Sequence, residues 1–147
     1  MAVKSKMELI KEWIETCPLL DGDKINVDYL DDEVYSYSID RTPTQPTTKK
    51  FTDGGGKKQI AFDFTVTAPI SSMTVTNLAN SKFGEDFIEW VEHQNDNKNF
   101  PNINGAFSIE CTSPSYVLQK TDTTAIYIIQ MNLTYYELIH NEEQPSL

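Results

Sequence analysis

Residues 124–136, TAIYIIQMNLTYY, constrain the fold more than any other stretch of the chain. Tyr127, Ile129, Met131, Leu133 and Tyr135 fall on one face of an extended backbone, and Ile128, Gln130, Asn132 and Thr134 on the other. Successive side chains of a strand point to opposite faces, so this pattern predicts one long strand. Ile60, Phe62, Phe64 and Val66 alternate with Ala61, Asp63 and Thr65 in the same way, and Pro69 is expected to end that strand. Its second face is polar. That side of the sheet is therefore wet, covered by a loop, or covered by a neighbouring subunit.

Shorter strands surround these two. Ile25, Val27 and Tyr29 alternate with Asn26 and Asp28, and Tyr35, Tyr37 and Ile39 alternate with Ser36, Ser38 and Asp40. The turn residues Asp31-Asp32 lie between them, which predicts an antiparallel hairpin. Phe107, Ile109 and Cys111 read as one strand face, and residues 116–119 extend that strand or begin another.

Two helices complete the pattern. Met7, Ile10, Ile14 and Cys17 recur at helical spacing, predicting a helix over 4–17 that Pro18 stops. Phe83, Phe87, Trp90 and Val91 predict a second helix over 82–96, capped by Asn80 or Ser81. Residues 70–81, rich in serine, threonine and asparagine, read as a connector. The order of elements predicts a single α+β domain over residues 1–147: an antiparallel β-sheet with two helices packed on one face.

The segment Arg41 to Lys58, RTPTQPTTKKFTDGGGKK, does not fit a central strand because of Pro43 and Pro46. Three consecutive glycines suit a loop tip. Lys49 to Phe51 and Lys57 onward are expected to pair as an extended hairpin around them. A connection of this length (42–58) in a compact domain tends to be functional or disordered. The tail, 141–147, is expected to be loose.

Charge singles out the same segment. The 147 residues carry a formal charge of -10, with a pI near 4.5. Residues 1–40 contribute -6, residues 41–81 contribute +3, and residues 82–147 contribute -7. The acidic balance argues against general binding to phosphate backbones. The basic island of Lys49, Lys50, Lys57 and Lys58, with Phe51 and Asp53 between, is the candidate interaction surface. A solvated hairpin tip whose lysines keep an edge soluble is the plainer reading.

The residues offer little chemistry. His93 and His140 have no ligand partner at metal spacing. Cys17 and Cys111 form no CxxC, fall on expected buried faces and suit a reduced, intracellular protein. Gly54-Gly55-Gly56-Lys57-Lys58 lacks the glycine spacing and hydroxyl residue of a phosphate loop. Asp31, Asp32 and Glu33 lack the spacing of a calcium loop. No signal peptide is read at the N-terminus and no apolar run approaches the roughly 20 residues of a membrane span. No catalytic, cofactor-binding or metal residues are therefore assigned, and the expectation is a protein that is not an enzyme.

From Ile10 to Tyr136 the chain resembles small tail-terminator and minor capsid proteins of long-tailed bacteriophages of Gram-positive hosts. The residues that carry the likeness are MELIKEWIETCPLL, KINVDYLDDEVYSYSID, a loop rich in threonine, proline, lysine and glycine, KKQIAFDFTVTAPI, FGEDFIEWVEHQNDNKNFPNI and the final TYYE. It is a likeness of order and character, without a catalytic signature. It implies a ring subunit of the virion, hexameric in that family, at the head-proximal end of the tail tube. There it would stop tube growth and join the tail to the head. The implied partners are further copies of itself, the major tail tube protein and a head-completion or neck protein. Genomic DNA would pass through the lumen without specific binding. The implied location is the virion, and the host cytoplasm during assembly. Another head–tail connector protein is the alternative. A small enzyme or an antagonist of host defence is a more distant one.

Overall fold

The computed structural model describes residues 4–20, 22–31, 33, 35–44, 47–50, 55–71 and 74–137. The C-terminal tail, the turn residue Asp32 and His140 lie outside the described residues. The fold is α+β: a mixed seven-stranded sheet with two helices packed on it.

Two strands of 14 residues form its spine. β4 (Gly56–Pro69) and β7 (Thr124–Glu137) pair antiparallel over their whole length, from Gly56 opposite Glu137 to Pro69 opposite Thr124. Their apolar faces coincide. Ile60, Phe62, Phe64, Ile129, Met131 and Leu133 are all buried on one side, as the alternation requires. On the free side of β4 lie β2 (Ser36–Thr42) and β3 (Thr47–Lys50), one after the other, with β1 (Ile25–Val27) outside β2. On the free side of β7 lie β5 (Ala106–Cys111) and β6 (Tyr116–Lys120), again one after the other.

The first two strands correct the expected antiparallel hairpin. β1 and β2 run parallel, with Ile25 opposite Tyr37 and Val27 opposite Ile39. Alternation reports which face a side chain occupies and is silent on strand direction. The connection provides the reason. Asp28 and Tyr35 both take left-handed backbone (φ 58° and 62°), so the chain leaves β1 sharply and turns again to enter β2. Between them it crosses the polar face: the Thr67 hydroxyl donates to the Asp31 carbonyl at 2.9 Å, and the Tyr29 amide donates to Ser38 Oγ at 3.3 Å. Ser38, Thr65 and Thr67 are buried as a result. This part of the polar face is thus covered by a loop.

α1 (Lys6–Ile14) is shorter than the spacing predicted. Ser5 caps it, its hydroxyl accepting from the Glu8 amide at 3.1 Å, and a short 3₁₀ turn (Pro18–Leu20) follows it. α2 (Thr74–Asp96) is longer than predicted. The Ser/Thr/Asn-rich stretch from Thr74 onward is helical, so Asn80 and Ser81 are interior rather than caps. Asn80 is buried, and its side-chain amide donates to the Pro69 carbonyl at 2.7 Å. Tying the helix to the end of β4 offsets the low helix propensity of this turn.

The core lies between the helices and the apolar face of the sheet. Phe87 is fully buried and stacks on Phe64 with ring centroids 4.3 Å apart. Trp13 and Trp90 join the two helices at 4.8 Å, and Trp13 Nε1 donates to the Asn99 carbonyl at 2.8 Å.

Candidate functional site

The basic island folds as expected into a hairpin. β3 pairs antiparallel with the start of β4, Thr47 opposite Lys58, Lys49 opposite Lys57 and Lys50 opposite Gly56. Lys49 and Lys50 are exposed on this edge strand. Phe51 and Asp53 lie outside the described residues.

Lys57 and Lys58 are less free than the sequence implied. Both are half-buried and point to opposite faces of β4. Lys58 Nζ lies 3.2 Å from Glu137 Oε1, a surface pair worth about 0–1 kcal/mol. Lys57 Nζ stands 5.6 Å from the centre of the Phe107 ring, a cation–π contact. Phe107 in turn stacks on Tyr136 at 4.3 Å.

Phe107 and Tyr136 are the members of this site that sequence reasoning missed. Strict alternation puts Phe107 on the face of Ile109 and Cys111. The register shifts between Ala106 and Ser108, so Phe107 is the extra residue of a bulge and joins the polar face beside Tyr136. The preceding Gly105 was the available signal. Its φ is 83°, and a Cβ there would lie 2.1 Å from the Tyr136 carbonyl oxygen, so the backbones approach as only glycine allows. The outcome is a row across four strands on the polar face: Lys49, Lys57, Tyr136 and Phe107.

Farther along the same face the charge reverses. Asp40 lies opposite Asp63, and Glu110 lies opposite Asn132. Burial holds the Asp63 carboxyl above the usual carboxylate range, and the charge of Asp40 raises it further, while the neighbouring Thr42 hydroxyl opposes both. Ser38 steadies Asp40 through a 3.0 Å hydrogen bond. This face therefore presents carboxylates in its middle and lysines at one end.

The opposite, apolar face holds a cavity of about 200 Å³ under the first half of α2. Tyr35, Tyr37, Phe64, Phe83, Tyr127 and Ile129 line most of it. Its lining carries no carboxylate, imidazole or thiol; its polar members are the tyrosines, Asn80 and Ser115. Among the described residues no group of three histidine, cysteine or acidic side chains is placed to hold a metal ion. No described helix is long and apolar enough to cross a membrane.

Both cysteine thiols are pushed up by burial, Cys111 to about 12 with help from Glu92 and Glu110. His93 sits exposed in the last turn of α2. No protein-family model matches the chain, and no curated protein matches it.

Proposed function

We propose that this chain is a structural subunit of a long-tailed bacteriophage. In this reading it is a tail terminator that caps the head-proximal end of the tail tube, stops its growth and joins the tail to the head. The family likeness motivates the proposal. The single structural observation that supports it best is the division of the polar sheet face into a carboxylate field and a lysine-bearing hairpin.

Each part has a physical use in a ring around DNA. Carboxylates repel phosphate, so a wall bearing Asp40, Asp63 and Glu110 lets DNA slide without gripping it. A β-hairpin edge bearing Lys49 and Lys50 suits docking on an acidic protein neighbour and steers the encounter. The remaining copies of the ring, the tube protein and the neck protein are its partners in this reading.

Electron microscopy of particles made without the protein tests the proposal. Overlong tails are the expected outcome. Tails of normal length beside unjoined heads would instead make it a head–tail connector. Normal infectious particles would refute both. Changing Lys49, Lys50, Lys57 and Lys58 together to glutamate should reproduce the defect.

A further inference from the structure

We infer that the cavity between the first half of α2 and the apolar face of the sheet is a binding site for a small, neutral aromatic molecule carrying a hydrogen-bond donor, of the phenol or indole class. The inference goes beyond the phage reading and does not depend on it.

The cavity follows from the sequence of α2. The second half of the helix fills the core with Phe87, Trp90 and Val91. The first half presents Ala79 and Asn80 to the same cavity as Val66 and Ala68 of β4. Small residues face small residues there, and the gap between them is about 200 Å³. Native cores rarely leave a void larger than a water molecule, so a gap of this size stands out. Ser115 fixes one wall: it approaches α2 so closely that a Cβ on Gly84 would lie 2.5 Å from Ser115 Cβ. Tyr35 lines the cavity while 54% exposed, which puts the mouth at this residue.

Size, shape and polarity together set the occupant. A cavity of about 150 Å³ accommodates benzene, so this one admits a single ring with a substituent or two small fused rings. Tyr37 stacks within 30° of parallel on both Phe64 and Phe83, at centroid distances of 6.0 and 6.2 Å, and Tyr127 joins them in the lining. These rings offer faces and edges that favour an aromatic guest in offset-stacked or edge-to-face contact.

The polar groups add the demand for a donor. Asn80 is only 8% exposed, and its amide nitrogen is engaged by the Pro69 carbonyl at 2.7 Å. Among the described residues no donor reaches its carbonyl oxygen, and no hydrogen bond is made by the Ser115 or Tyr127 hydroxyl, although all three residues line the cavity. A buried acceptor is costly to leave unmet, so the site favours a guest with an O–H or N–H over one of the same shape without it. No lining side chain is a carboxylate, ammonium or guanidinium. Burial pushes the Tyr37 hydroxyl up to about 12, with Asp23 adding to the shift, so this group also stays uncharged near neutral pH. A charged guest would lose its water and gain no counter-charge, which selects a neutral one.

The test is a proton–nitrogen NMR titration of the full chain with phenol, indole, toluene and benzoate. Phenol and indole should each give saturable shifts at the Asn80 side-chain amide and at the backbone amides of 78–84 and 127–129. Toluene, which matches phenol in size and lacks the donor, should bind at least about fivefold more weakly, and so should benzoate. Ala68→Leu fills the cavity from β4, and Ala79→Phe covers it from the exposed side of α2. Each should weaken phenol binding at least about tenfold while circular dichroism shows the fold retained. Ala79→Phe, at an exposed helix position, keeps the test decisive if Ala68→Leu does not fold. Absence of saturable shifts with phenol and indole, toluene or benzoate binding as tightly as phenol, or a folded blocking variant that binds phenol like the parent would each overturn the inference. Tail lengths in particles decide the proposed function and this titration decides the site, so the two fail separately.

Discussion

Gly84 lies inside α2, where alanine ordinarily raises stability by about 1 kcal/mol. Here the neighbourhood reverses the sign. A Cβ on Gly84 would stand 2.5 Å from Ser115 Cβ and 2.8 Å from Ser115 Oγ, just before β6. Neither is the far end of a flexible chain, so α2 or the start of β6 must move. Overpacking of this kind costs about 1–3 kcal/mol, leaving Gly84→Ala neutral to about 2 kcal/mol less stable than the parent. No other atom lies within 4 Å of that Cβ beyond the chain neighbours and the helix's own backbone. In a Ser115→Gly background the same substitution should therefore recover its gain of about 1 kcal/mol. Urea melts of the four proteins in this cycle should give a coupling of about 1–3 kcal/mol. If Gly84→Ala stabilises the parent as much as it stabilises the Ser115→Gly protein, the close approach of α2 to β6 is not what holds glycine at this position.

Three further outcomes follow from the core and from the titrating groups. Phe87→Ala removes a fully buried ring stacked on Phe64; it should cost about 3–5 kcal/mol and lower the calorimetric Tm by roughly 6–20 °C. Asp63 has a raised folded-state pKa, so the folded protein holds this proton more tightly than the unfolded chain does. Its ionised form lowers stability at neutral pH, and that penalty disappears as pH falls through the folded pKa towards the unfolded one. Asp63→Asn should accordingly stabilise at pH 7, by denaturant melts, with the gain fading at acid pH. Iodoacetamide at pH 8 should leave Cys17 and Cys111 unmodified in the folded protein and modify both in urea, as mass spectrometry would show.

Much of the sheet was legible because its two spine strands are long. Ile60 to Val66 and Thr124 to Tyr136 alternate over enough residues that period and face leave one reading. The lysine hairpin was legible from its glycines. What failed was whatever depended on relations between elements. The parallel pairing of β1 and β2 depends on left-handed turns at both Asp28 and Tyr35; aspartate tolerates that backbone, but a bulky tyrosine gives no sign of it. The first turns of α2 depend on Asn80 reaching the end of β4, a tertiary contact that local propensity argues against. The candidate site was half legible. Lys49 and Lys50 stand out by charge, whereas Phe107 and Tyr136 join them through a bulge that alternation cannot register.

The pairing of β4 with β7 also sets a timetable for the chain. The ladder joining Pro69 to Thr124 and Gly56 to Glu137 spans the whole of α2, β5 and β6 in sequence. Such non-local pairing closes a long loop before its contacts repay the entropy, which slows folding. On the ribosome β4 emerges with β2 and β3 available on one side and nothing on the other until the last strand is made. For that interval one edge and one apolar face of β4 are exposed together, the combination most prone to pairing with another nascent chain. Truncation before Thr124 would make the interval permanent, so shortened forms of this protein are expected to aggregate rather than to persist as smaller folded units.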